Sequence, residues 1–243
     1  MSVFRFKRFS VSNELSSMKV NTDGVLLGSA TTIYPADKTI LDVGTGTGTI
    51  ALMLAQRYDE KNSLSGKQLI GIDIDKMAAE EAQANFKASP WAANLIAIQT
   101  GLETLRDSNF QPTMELDLIV SNPPFFENSL KTPDIRRSLA RHSDSLSYKD
   151  LLEYAKCHLS AKGRLSMILP SDQGHDLLRY ARMCSLFPFR ILHIRTTPRK
   201  SETRMIAEFS FERNSANEEE LTIHNQSGEY SSDYQDLTGP FYL

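Results

Sequence analysis

The sequence predicts an α/β fold with a mostly parallel, seven-stranded sheet, an antiparallel edge strand and helices on both faces. Three observations carry this expectation. From Thr39 onward, short apolar runs alternate with stretches of helical periodicity, the pattern of parallel strands joined by crossover helices. The first strand runs into a glycine-rich turn, Gly44-Thr45-Gly46-Thr47-Gly48, and then into a helix. The last third instead holds two alternating runs, Phe189 to Arg195 and Arg204 to Phe211, on either side of a loop, which reads as an antiparallel pair at one sheet edge.

In chain order, Thr39 to Val43 is the first strand, and Ile50, Leu52, Met53, Leu54 and Ala55 give the apolar face of the helix after the turn. Gln68 to Ile72 is the second strand. Lys76 to Lys87 follows as a helix with Met77, Ala78, Ala82 and Phe86 at helical spacing, and Pro90 stops it. Leu95 to Ile98 and Leu116 to Val120 are the third and fourth strands. A helix from Tyr148 to Leu159, ended by Gly163, precedes the fifth, Arg164 to Leu169. Read this way the sheet grows in chain order. Asn214 to Glu220 is polar and acidic and reads as a solvated surface loop, whereas the closing Gly239 to Leu243 is apolar enough to dock.

A chain of 243 residues fits one domain: an N-terminal extension over 1–38, a core over 39–211 and a packing tail over 212–243. With 40% apolar and 23% charged residues it is neither disordered nor fibrous. Cys157 and Cys184 both lie in amphipathic stretches and are expected to be buried thiols of a reducing, cytoplasmic compartment. No cysteine or histidine spacing suggests a metal, and no run is long and apolar enough for a membrane span. A net charge of −3 leaves nucleic-acid binding open, since that needs only a locally basic surface. A monomer is expected.

The glycine turn lets a ligand approach the backbone and the helix amides. The nicotinamide fingerprint wants a third glycine where Thr49 stands, and Asp42 at the strand end would meet a pyrophosphate with negative charge. S-adenosylmethionine, which carries a sulfonium and an amino group and no phosphate, suits Asp42, Gly44, Gly46 and Gly48 better. Asp73, beside Ile74 in GIDID, closes the second strand where a carboxylate accepts ribose hydroxyls of either cofactor. Glu103 is placed either to meet the adenine amine or to cap a surface helix.

At the end of the fourth strand stand Asn122, Pro123, Pro124 and Phe125. Two prolines fix the backbone and remove amide donors, leaving outward carbonyls beside the Asn122 oxygen and an aromatic face. The set suits a planar amide or aryl amine, whose two N–H bonds would point at Asn122 and the Pro123 carbonyl. The competing reading is a proline-stiffened turn that packs its phenylalanine in the core.

The NPPF segment resembles the (N/D)PP(Y/F) motif of amino-methyltransferases acting on adenine, cytosine or glutamine. The segment from Met18 to Gly28, MKVNTDGVLLG, is similar to the MKVxTDGxLLG signature of the valine-tRNA adenine-37 N6-methyltransferase family, with Asn21 standing where glycine is common, and the similarity runs from FRFKRFSV to LTGPFYL. The resemblance implies a Rossmann-like class I methyltransferase fold. It also implies that Lys19, Thr22 and Asp23 close over the methionine end of S-adenosyl-L-methionine, and that residues 122–125 hold adenine of a tRNA. By themselves, Thr22 to Gly24 read as a helix start and Lys19 as a surface charge.

Basic residues cluster at Arg5, Lys7 and Arg8, at Arg195, Arg199, Lys200 and Arg204, and at Arg136, Arg137 and Arg141. The last three follow NPPF and are expected to hold RNA phosphates, with Phe125 or Phe126 receiving the base. The expected activity is therefore tRNA adenine N6 methylation. The alternatives are a related N-methyltransferase acting on protein glutamine or on another nucleic acid, a non-catalytic RNA-binding module, and a nicotinamide oxidoreductase.

Overall fold

A computed structural model describes residues 2–107, 115–124 and 146–242. A two-stranded ribbon of β1 (Val3–Arg5) and β2 (Ser10–Ser12) opens the chain, followed by α1 (Thr22–Ala30). The alternating part comprises β3 (Thr39–Val43), α2 (Thr49–Glu60), β4 (Gln68–Asp73), α3 (Lys76–Ala88), β5 (Leu95–Gln99), α4 (Leu102–Asp107) and β6 (Leu116–Ser121). After it come α5 (Tyr148–His158), β7 (Leu159–Pro170), α6 (Gly174–Met183), β8 (Phe187–Arg195), β9 (Arg204–Ser210), β10 (Asn217–Thr222) and α7 (Ser232–Thr238).

Eight strands form one sheet in the order β10-β8-β9-β7-β6-β3-β4-β5. It does not grow in chain order. β4 and β5 extend one way from β3, and the chain then returns to lay β6 on the opposite side of β3. That reversal opens a crevice at the carboxyl ends of β3 and β6, the place where open α/β sheets bind ligands. The expected antiparallel strand is β9, paired to β7 and β8, but it lies inside the sheet. The edge belongs to β10, which runs parallel to β8 through the segment expected to be a solvated loop. Its glutamates are compatible with a strand because an edge strand is half in water.

The strand interiors alternate between two cores. Ile40 faces Met53, Leu54 and Phe86 of α2 and α3, together with α1 and the tail residue Phe241, which docks as expected. Leu41 and Val43 face Leu102 of α4, Leu151 and Leu152 of α5 and Leu177 of α6. α1 is covered on nearly every side. It approaches α2 closely because Gly28 has no side chain: a Cβ there would lie 2.8 Å from Met53 Sδ.

Two local readings change. α5 ends at His158 and β7 starts at once, so Gly163 is no helix stop. It sits where the β6–β7 register slips and where a Cβ would meet the Leu116 carbonyl at 2.6 Å. Cys184 is buried, but Cys157 is exposed, because it falls on the outer face of α5. Among the described residues no helix is long and apolar enough to cross a membrane.

Candidate active site

The crevice holds a cavity of about 500 Å³, within the usual range for a small-ligand site. A second space of about 30 Å³ adjoins it, and Met18, Gly44, Gly46 and Asn122 line both. The floor is the glycine turn. Gly44, Gly46 and Gly48 all have positive φ (69°, 55° and 80°), which only glycine adopts at little cost. Gly48 has a second reason, since a Cβ there would strike the Phe86 ring at 2.4 Å. The turn is fastened to β4 by Thr45 N–H donating to Ile72 O at 2.9 Å.

Asp73, at the end of β4, accepts from Gly46 N–H and from Asp75 N–H, each at 2.9 Å, and lines the main cavity. Burial pushes its carboxyl above the usual range, against the pull of those two N–H groups. Ile74 beside it is 58% exposed, an apolar side chain left open on the cavity wall, and Glu103 lines the same space. Asp42 lies beneath the turn and outside both linings. Its Oδ2 accepts from Thr45 Oγ1 at 2.7 Å, its Oδ1 has no partner, and burial raises its pKa to about 7.

β6 delivers Asn122. Ser121 Oγ donates to Val43 O at 2.8 Å and ties the ends of β6 and β3 together, so Asn122 faces the glycine turn. Asn122 is 7% exposed. Its Nδ2 has only a weak contact with Met18 Sδ at 3.9 Å, and its Oδ1 is buried with no hydrogen-bond partner. Pro123 is buried behind it, and Pro124 lines the cavity. Phe125, Phe126, Arg136, Arg137 and Arg141 lie outside the described residues.

Of the residues in the second motif, Lys19 lines only the smaller space and donates from Nζ to Asn13 O at 2.5 Å. Thr22 and Asp23 line neither cavity. Asp23 accepts from Arg204 Nε at 2.9 Å, holding the start of α1 against β9. Asn21 supplies the helix cap, accepting from Gly24 N–H at 2.8 Å, a role open to asparagine where glycine offers no side chain.

Sequence reasoning missed Glu81 and Asn85 of α3. Glu81 is 2% exposed and accepts from the N–H groups of Glu14, Leu15 and Ser16 at 2.7, 3.0 and 2.8 Å and from Ser12 Oγ at 3.1 Å. Burial alone would raise its pKa, but these donors outweigh burial and hold it low. Asn85 bridges Ser12 to the Thr47 carbonyl of the glycine turn. Helix α3 thus binds the N-terminal segment, whose Ser16, Ser17 and Met18 wall the cavity, to the cavity floor. The available signal was a carboxylate and an amide four apart on the face that carries Ala78, Ala82 and Phe86.

The profile of the family described as "Methyltransferase small domain" matches residues 16–181. Over 244 residues the chain is 40% identical to the tRNA1(Val) (adenine(37)-N6)-methyltransferase of Flavobacterium johnsoniae, with 99% of each protein covered. The chain belongs to the tRNA1(Val) (adenine(37)-N6)-methyltransferase family. A second member of that family, from Porphyromonas gingivalis, is 41% identical, covering 99% of this chain and 94% of that protein. The methyltransferase fold is found again in a crystal structure described as a predicted O-methyltransferase from Agrobacterium tumefaciens. It has a TM-score of 0.67 at 18% identity and covers 90% of this chain and 96% of that one.

Proposed function

We propose that this chain transfers a methyl group from S-adenosyl-L-methionine to the exocyclic N6 of adenine 37 in valine tRNA. The observation that carries the reading is the Asn122 side-chain oxygen, buried and unpartnered where the two cavities meet. A buried acceptor without a donor costs about 1–3 kcal/mol, which a bound N–H group restores. Membership of the family supports the choice of acceptor nucleotide.

The residues present fit the cofactor. The carboxylates of Asp73, Asp75, Glu103 and Asp150 line the main cavity and favour a cation over a pyrophosphate. Asp73 would accept the ribose hydroxyls, and Ile74 offers an apolar face to the adenine. Gly44 and Gly46 would let the methionine portion lie against the backbone, with Lys19 at the smaller space; Thr22 and Asp23 would act there by holding α1. When bound, S-adenosylmethionine supplies an electrophilic methyl on a sulfonium.

The chain's own part is acceptor positioning. Asn122 Oδ1 and the Pro123 carbonyl would each take one N–H of the adenine amine. Two acceptors drawing on one nitrogen favour a pyramidal geometry and leave its lone pair pointing away from the protein groups. One N–H proton becomes acidic only as the new bond forms and then passes to water, leaving the methylated amine neutral, so no strong base is required beforehand. Phe125 would stack on the base, with Arg136, Arg137 and Arg141 toward the phosphates.

The test is mass spectrometry of nucleosides from valine tRNA transcripts, with adenine or guanine at position 37, exposed to the protein and labelled cofactor. N6-methyladenosine in the first transcript alone is expected. An unlabelled adenine transcript, or label at another base, overturns the reading.

A further inference from the structure

The basic cluster at Arg195, Arg199, Lys200 and Arg204 gains a meaning from topology. β8 runs parallel to β7, so the β8–β9 turn over residues 196–203 projects from the same carboxyl edge of the sheet that carries Asn122. The register places Ser121 level with Met167, Ala207 and Ile191, which sets Thr196 about four residues above Asn122 and three strands to the side. At about 3.3 Å per residue and about 4.8 Å per strand, the turn stands on the order of 20 Å from the Asn122 amide. That spans a few nucleotides of extended RNA.

Two features at this place present groups to solvent. Arg199 and Lys200 are exposed at the tip, and neither has a carboxylate partner among the described residues. The nearby acids are engaged: Glu202 with His193, Glu220 with Arg195 at 2.8 Å and Glu229 with Ser227 Oγ at 3.1 Å. Beside the base of the turn lies a row of rings. Tyr234, buried, stacks with Tyr230 at 4.8 Å, and Tyr230 with His224 at 5.1 Å. Tyr230 is nevertheless 51% exposed, and His224 N–H donates to Thr196 O at 3.0 Å, so the rings are fastened to the base of the turn that carries Arg199 and Lys200.

We propose that this surface docks the single-stranded RNA flanking the target base, with Arg199 and Lys200 on phosphates and the Tyr230–His224 end of the ring row stacking a neighbouring base. Paired cations and planar faces are what an unstacked strand requires, and neither alone gives the same fit. The acids differ in what holds them: Asp73, Asp75, Glu103 and Asp150 line the cofactor cavity, whereas at the turn Arg199 and Lys200 stand beside acids that His193, Arg195 and Ser227 already engage. The inference rests on the proposed tRNA activity and adds where the RNA lies.

The test is fluorescence anisotropy of a labelled valine anticodon stem-loop against wild type, Arg199→Ala/Lys200→Ala, Tyr230→Leu and Tyr230→Phe at about 50 and about 200 mM salt. Leucine keeps bulk against Tyr234 while removing the flat ring. The double variant is expected to bind about tenfold more weakly and to lose about 1.4 from the slope of log affinity against log salt, two single-strand phosphate contacts. Tyr230→Leu is expected to bind about tenfold more weakly with an unchanged slope, and Tyr230→Phe like wild type. S-adenosylmethionine affinity stays constant throughout, which certifies the fold of each variant. Wild-type affinity and slope in the double variant overturn the phosphate assignment, and wild-type affinity in Tyr230→Leu overturns the stacking one. A wild-type protein that neither binds nor methylates the RNA removes the underlying activity instead, so the two failures are distinguishable.

Discussion

Replacing Asn122 by alanine separates catalysis from stability in opposite directions. The amide oxygen is buried with no partner, and the amide nitrogen has only the 3.9 Å sulfur contact, so the folded protein holds an unsatisfied group costing about 1–3 kcal/mol. Alanine removes that cost. It gives up about 1 kcal/mol of side-chain packing, because the side chain borders an existing cavity and leaves no closed void. The net is between no change and about 2 kcal/mol of added stability, or up to several degrees in Tm for a chain of this size. Activity should move the other way, with single-turnover methyl transfer falling by about 10² to 10³ through loss of a preorganised acceptor. Asn122→Asp, which keeps an acceptor oxygen in place, should lose less. The assays are thermal melting without ligand and rapid-quench methyl transfer to valine tRNA. An alanine variant that melts several degrees lower while turning over within threefold of wild type would refute the reasoning and make Asn122 a scaffold residue.

Three further outcomes are expected. Asp73→Ala should weaken S-adenosylmethionine binding by about 1–3 kcal/mol in calorimetry, since it strips the cavity of a carboxylate and frees the Gly46 N–H; an unaltered Kd contradicts the role. Glu81→Gln should raise the KM for the cofactor with little change in kcat, because residues 14–16 lose a charged acceptor while the acceptor end at Asn122 is untouched, and a fall confined to kcat would count against it. Asp42 carries a pH signature. With its folded pKa at about 7 against an ordinary 3.8, the folded protein holds this proton more tightly than the unfolded chain, so stability falls as pH rises from about 4 to about 7, by as much as about 4 kcal/mol. Asp42→Asn should therefore melt above wild type at pH 8 by a margin that shrinks toward pH 5, and a margin independent of pH would dismiss the linkage.

The sequence was most legible where structure is set locally. β3, the glycine turn and α2 follow from adjacent residues: an apolar run, glycines at positive φ, then helical spacing. Asn122 was readable for the same reason, because strand end, proline pair and polar side chain are contiguous. What escaped depends on distant partners. No local pattern tells β6 to cross back over β3, and the acids of β10 conceal a strand because Arg190 and Arg195 on β8 balance them. Glu81 looked like any helix-surface glutamate, since its partners stand 65 to 69 residues earlier in the chain. Lys19 and Asp23 were singled out by family likeness, and the fold shows why contiguous motif residues diverge: one reaches the smaller cavity while the other braces a helix against Arg204.

The acidic border strand has a bearing on how molecules of this protein meet. An unpaired strand flank offers its free amide and carbonyl groups to any extended peptide, including the same flank of an identical molecule. Here Glu218 and Glu220 project to one side of β10 and Glu219 to the other. Two copies zipping along this flank would bring four carboxylates, Glu218 and Glu220 of each, onto one face, where Arg195 balances only Glu220, while Glu219 on the other face stays with Arg190. Exchanging the three glutamates for threonine would keep the strand and remove the repulsion, and self-association that grows with concentration should follow.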